Sequence, residues 1–131
     1  MAGFHRTIQL ALANWLRGTA MPAAPSSLTL ALSTTSILDD GSGFTEPGAG
    51  YSRQAVTLTT PVHTEGVGTI VRNANAIVFG PAATNWGTIV SLAVLDQTGT
   101  VVLKGNLTAP RACPSGDTIS IGIGVVEFNV V

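Results

Sequence analysis

Near the start of the chain apolar residues recur every three or four positions, and after Pro22 they recur every two. Phe4, Ile8, Ala11, Leu12, Trp15 and Leu16 share one stripe of a helical wheel, with His5, Gln9 and Arg17 mostly off it. The spacing predicts one amphipathic helix over about residues 4–17. Gly18 suits the left-handed residue that closes a helix, and Pro22 follows as a stop. A helix this short is not stable alone in water, so its stripe must rest on a sheet or on a neighbouring subunit. A buried Trp15 would then contribute about 3–5 kcal/mol to folding or assembly.

The two-residue period begins with Leu28, Leu30 and Leu32, which alternate with Thr29, Ala31 and Ser33. Residues 39–50 hold Gly41, Gly43, Pro47, Gly48 and Gly50 and read as a mobile surface loop. Val56 and Leu58 mark a second strand ended by Pro61. Ile70 and Arg72 mark a third, and Ile77 and Phe79 the next, broken by Gly80-Pro81. Ile89 to Leu95 is strongly apolar, with Val90, Leu92 and Val94 on one face, and the turn Asp96 to Gly99 leads into a strand from Val101 to Leu107. After a turn at Ser115-Gly116-Asp117, Ile119, Ile121 and Ile123 alternate with small residues. The parity slips before Val126, Phe128 and Val130, which predicts a bulge near Gly124. About seven or eight short strands at this spacing predict a mainly β chain. The expected fold is an antiparallel β-sandwich or jelly-roll-like domain spanning residues 1–131, with the helix at its front and strands from about residue 27.

Composition sharpens this picture. Charged residues make up 10% and apolar residues 45%, and the mean hydropathy is +0.41. Globular chains carry roughly 25% charge. A soluble monomer stays apart from its neighbours through charged, patch-free surfaces. A chain this poor in charge is expected to cover its outside with other protein. Few strands carry the lysines or inward charges that guard sheet edges. Arg6, Arg17, Arg53, Arg72, Lys104 and Arg111 are scattered singly, which argues against nucleic acid as a partner. No basic amphipathic helix or long apolar run points to a membrane. The apolar run Ile8 to Ala13 is short, interrupted by Gln9 and followed by Trp15 and Arg17, so no signal peptide is expected and synthesis belongs in the cytoplasm.

Candidate chemistry is sparse. Cys113, the one cysteine, lies between Pro110 and Pro114 and reads as a small loop residue rather than a nucleophile. His5 and His63 lack a second metal-type ligand at helical spacing, so no metal site is expected. Asp39-Asp40, the one adjacent acid pair, lacks the ligand spacing of a calcium loop and reads as solvated charge. Trp15, Trp86 and Tyr51 could stack on sugars, but packing is the better reading. No Gly-x-Ser-x-Gly elbow or phosphate-binding glycine loop occurs. The expectation is a protein with no catalytic residue and no cofactor.

Three ordered patterns carry a likeness. Asn14-Trp15-Leu16-Arg17-Gly18-Thr19 precedes Pro22-Ala23-Ala24-Pro25 and the strand Leu28 to Thr34; Gly50-Tyr51-Ser52-Arg53-Gln54-Ala55-Val56 follows the loop; Pro81-Ala82-Ala83-Thr84-Asn85-Trp86-Gly87-Thr88 leads into a long strand. In this order they resemble small virion proteins of tailed bacteriophages, tail-fibre-like or head-decoration proteins. The resemblance implies a structural protein of the virion, foremost a capsid decoration (cement) protein on the head, trimeric and bound to the major capsid protein or other virion proteins. The alternative is a tail fibre or tail adaptor in host attachment, and a small glycan-binding or hydrolytic domain is a third reading. Phe4, Ile8, Trp15, Arg17, Tyr51 and Arg53 are the candidate interface residues. Arg17 and Arg53 either bind carboxylates across an interface or cap carbonyls within the chain.

Overall fold

The computed structural model describes residues 3–38 and 42–129. Its elements are β1 (Gly3–Phe4), α1 (Arg6–Leu16), β2 (Thr29–Ser33), β3 (Gln54–Ala55), β4 (Val62–Thr64), β5 (Gly68–Arg72), β6 (Ile77–Phe79), β7 (Thr88–Leu95), β8 (Val101–Ala112), β9 (Ile119–Ile121) and β10 (Glu127–Asn129). One antiparallel sheet has the order β1-β8-β7-β2-β3, a second β10-β5-β4 and a third β6-β9. Leu30, Leu32, Leu92, Val94 and Val102 of the large sheet meet Val71, Ile77, Phe79, Ile119, Ile121 and Phe128 of the two small ones in one core. The fold is therefore mainly β and sandwich-like, with one N-terminal helix, as the periodicity indicates. Each fully buried Leu or Phe contributes about 1.5–3 kcal/mol.

The large sheet is covered on both faces at its centre. Alternation predicts that Ala31 and Ser33 face solvent, yet β2 is buried from Leu30 to Ser33. The covering layer is the chain that follows it. Ile37 and Phe44 pack on Ala31, Ala93 and Leu95. Ser33 Oγ and Ser91 Oγ, both fully buried, each donate to Thr35 O at 2.7 Å. The Thr45 N–H returns a bond to Ser33 Oγ at 3.1 Å. The described part of the glycine-rich loop is thus held against the sheet and is not the mobile excursion its composition suggests. Small Ala and Ser side chains permit this close approach, and hydrogen bonds offset their polarity.

The helix is shorter than residues 4–17. Phe4 pairs with Leu103 in β1, and His5 caps the helix by accepting the Thr7 N–H through Nδ1 at 3.2 Å. At the other end Gly18 has φ +96°, Gly18 N–H donates to Trp15 O, and Thr19 N–H to Asn14 O at 2.9 Å. These two bonds form a Schellman closure. No residue of α1 is buried. Phe4 and Ile8 pack against the core, but Trp15 is 57% exposed. The packed Trp15 expected from the stripe is therefore corrected: the stripe outruns the part of the sheet available to cover it.

Two further expectations change. The parity slip near Gly124 is a turn rather than a bulge. Val125 N–H donates to Gly122 O at 3.2 Å, and the turn passes the chain from β9, paired with β6, to β10, paired with β5. Ile123 is consequently exposed. The strand expected to stop at Leu107 continues to Ala112. Asn106 pairs with Ser91 and Arg111 with Ile89, so Leu107 to Pro110 bulge opposite Val90 alone. The bulge accommodates Pro110, which has no N–H for a regular ladder.

Candidate functional site

No group of three or more His, Cys, Asp and Glu able to hold a metal ion occurs among the described residues. Asp39 and Asp40 lie outside those residues. Cys113 is buried, its Sγ lies 3.7 Å from Asp117 O, and burial pushes its thiol pKa up, away from a reactive thiolate. His63 faces Thr69 Oγ1 at 2.9 Å and Glu65 at 3.8 Å on the exposed β4–β5 hairpin. Asp96 binds the Thr98 and Thr100 N–H groups and shapes its own turn.

A clamp centred on Glu46 fastens the loop before β3. Arg53 donates from Nε to Glu46 Oε1 at 2.8 Å and from a terminal nitrogen to Oε2 at 3.1 Å. The hydroxyl of Tyr51 donates to Glu46 Oε1 at 2.7 Å and accepts the Leu32 N–H at 3.2 Å. The Arg53 bond holds the Glu46 pKa below the ordinary carboxylate value, against an opposing effect of burial. Burial first, then the bond to Glu46, pushes the Tyr51 pKa well above its usual value. The Tyr51 ring stacks on Phe79 at 6.0 Å and meets Trp86 edge-on at 5.8 Å. Trp86 is buried and donates from Nε1 to Ala49 O at 2.8 Å. These rings therefore pack the interior, and their faces are not open as a stacking platform.

The uncovered apolar surface lies elsewhere. Leu12, Trp15 and Leu16 continue the helical stripe into solvent. Separately, a groove opens between the Leu107–Pro110 bulge of β8 and the chain from β9 to β10. Half-buried Leu107 and exposed Val125 form its apolar walls over the buried Leu92, Ile121 and Phe128, Asn106, Thr108 and Glu127 contribute polar rim, and its volume is about 540 Å³. A smaller recess beneath the bulge shares Leu92, Leu107, Ile121 and Val125 and adds Leu32, Ile89 and Arg111. The bulge creates this opening, because it lifts β8 away from a straight path over the core.

The six candidate interface residues separate into three pairs. Tyr51 and Arg53 are joined through Glu46 within the chain. Phe4 and Ile8 seat the start of α1 on the core, whereas Trp15 and Arg17 stand at its exposed end. Among the described residues the Arg17 side chain reaches only Asn14 Oδ1, at 3.5 Å. The sequence reading missed the groove, because its lining comes from segments separated by as many as 36 positions, Leu92 to Phe128. Glu46 was passed over because nothing in a linear sequence places it beside Arg53. The family model described as Podophage GP4 fiber I protein gp80 matches residues 3–129. No curated protein matches the chain.

Proposed function

The chain belongs to the podophage GP4 fiber I protein family, and we propose that it is a tail-fibre component which acts through protein–protein contacts without catalysis. Membership makes it a structural protein of the phage virion. The match over residues 3–129 to a family described as a fiber protein supports the tail reading. It favours the tail alternative over the head-decoration role to which charge-poor composition and resemblance first led. Both roles require a protein that builds on its neighbours. The exposed Leu12, Trp15 and Leu16 and the open groove fit that requirement. Other virion proteins are the proposed partners, with further copies of the chain among them. A trimer suits a closed set of identical interfaces. Gold-labelled antibody on intact virions tests the location. A few copies at the tail are expected, and label distributed over the whole head surface would overturn the proposal.

A further inference from the structure

Taking from the fibre reading only that copies meet in the virion, we propose that the exposed end of α1 from one copy docks in the β8–β10 groove of the next, with Trp15 as its anchor. The first support is continuity. One helical stripe runs from Ile8, which packs on the core beside Phe4 of β1, to Leu12, Trp15 and Leu16, of which Leu16 is 79% exposed. Pairing of Phe4 with Leu103 and the His5 N–H bond to Val102 O at 2.9 Å fix the start of the helix to β8. The far end is an apolar knob that the described residues of its own chain leave exposed. The groove is the matching recess, walled by Leu107 and Val125 over the buried Leu92, Ile121 and Phe128. Aromatic anchors that fill such pockets dominate interface energetics.

Charge selects a second copy, and selects helix against body rather than helix against helix. Every Asp and Glu of the chain lies at Asp39 or later, whereas Arg6 and Arg17 belong to α1 and its cap. Two such helices laid together repel, while each is attracted to the acidic remainder of another molecule. Glu127 stands on the groove rim, half-exposed, and takes both Arg72 bonds, at 3.2 and 2.8 Å, on Oε2. Its Oε1 is the partner for Arg17 of the incoming helix. The contact is heterologous: knob and recess are different surfaces of the same chain, as rings and filaments require.

Sedimentation of the full chain over a range of concentrations tests this, with Trp15→Ser removing the knob and Val125→Asp blocking the recess. Both sites are exposed, so both variants should melt near the parent temperature. Should either unfold, Leu16→Ser or Val125→Ser replaces it. The parent should associate reversibly, and each variant alone should associate on the order of tenfold more weakly. A mixture of the two should regain association, since each supplies the surface the other lacks. A parent that stays monomeric, a variant that associates like the parent, a mixture no better than its components, or association only upon adding another virion protein would each overturn the inference. Antibody label at the tail with any of these results removes the interface and leaves the fibre reading; label on the head with a complementing mixture does the reverse.

Discussion

Asn73 and Val126 are locked together by two hydrogen bonds: Asn73 Oδ1 accepts the Val126 N–H at 2.9 Å, and Val126 O accepts the Asn73 N–H at 3.2 Å. Asn73 has no exposed surface, and its Nδ2 donates to Asn75 O at 2.8 Å and to Gly122 O at 2.9 Å. One side chain thereby joins the end of β5 to the turn before β10. Asn73→Leu keeps the volume but abandons these groups, at about 1–3 kcal/mol for each one left buried without a partner. Urea unfolding should show a clearly lower midpoint. An unchanged midpoint would mean that the side chain does not tie these segments.

Stability should depend on pH through the Glu46 clamp. The folded pKa of Glu46 is lowered by Arg53, so its contribution is present above the ordinary value of 4.5 and is lost as pH falls through the depressed one. Tyr51 runs the opposite way: its folded pKa is raised, so its contribution is present below the ordinary value of 10.0 and is lost as pH rises beyond it. Melting temperatures should fall at both extremes. Glu46→Gln should flatten the acid limb and Tyr51→Phe the alkaline limb; limbs identical to those of the parent would refute the assignment.

The two tryptophans should report different environments. Trp86 is 4% exposed and Trp15 57%. In Trp15→Phe the remaining emission should be blue-shifted and resist iodide quenching. In Trp86→Phe, if folded, it should be red-shifted and readily quenched when measured dilute enough to suppress association. Equal quenching in the two variants would contradict the placement of these rings.

Gly50 and Gly66 both have positive φ, +86° and +80°, yet they should respond differently to alanine. At Gly66 an added Cβ meets nothing within 4 Å, leaving only the left-handed penalty of roughly 1–2 kcal/mol. At Gly50 it would lie 2.7 Å from both Ala83 N and Pro81 O, so the backbone itself must move. Gly50→Ala should therefore lower the melting temperature distinctly more than Gly66→Ala. The reverse order would show that residues 48–51 are not held against the Pro81–Ala83 segment.

The sequence by itself determined what depends on near neighbours. Helical and two-residue periods, the glycine closure after Arg17, the Asp96 turn and the break at Gly80-Pro81 arise from backbone preferences within a few residues, and all were legible. Charge depletion and the ordered patterns around Trp15, Tyr51 and Trp86 led to a phage virion protein, because composition and local motifs require no coordinates. Tertiary structure alone decided how these elements meet. Ser33 and Ser91 are buried because a later segment folds over them. Arg53 is tied to Glu46 within the chain, Trp15 is exposed although its stripe begins at the core, and the groove forms between β8 and β10. Periodicity states that a face is apolar. Whether that face is covered depends on chain segments brought together from far apart.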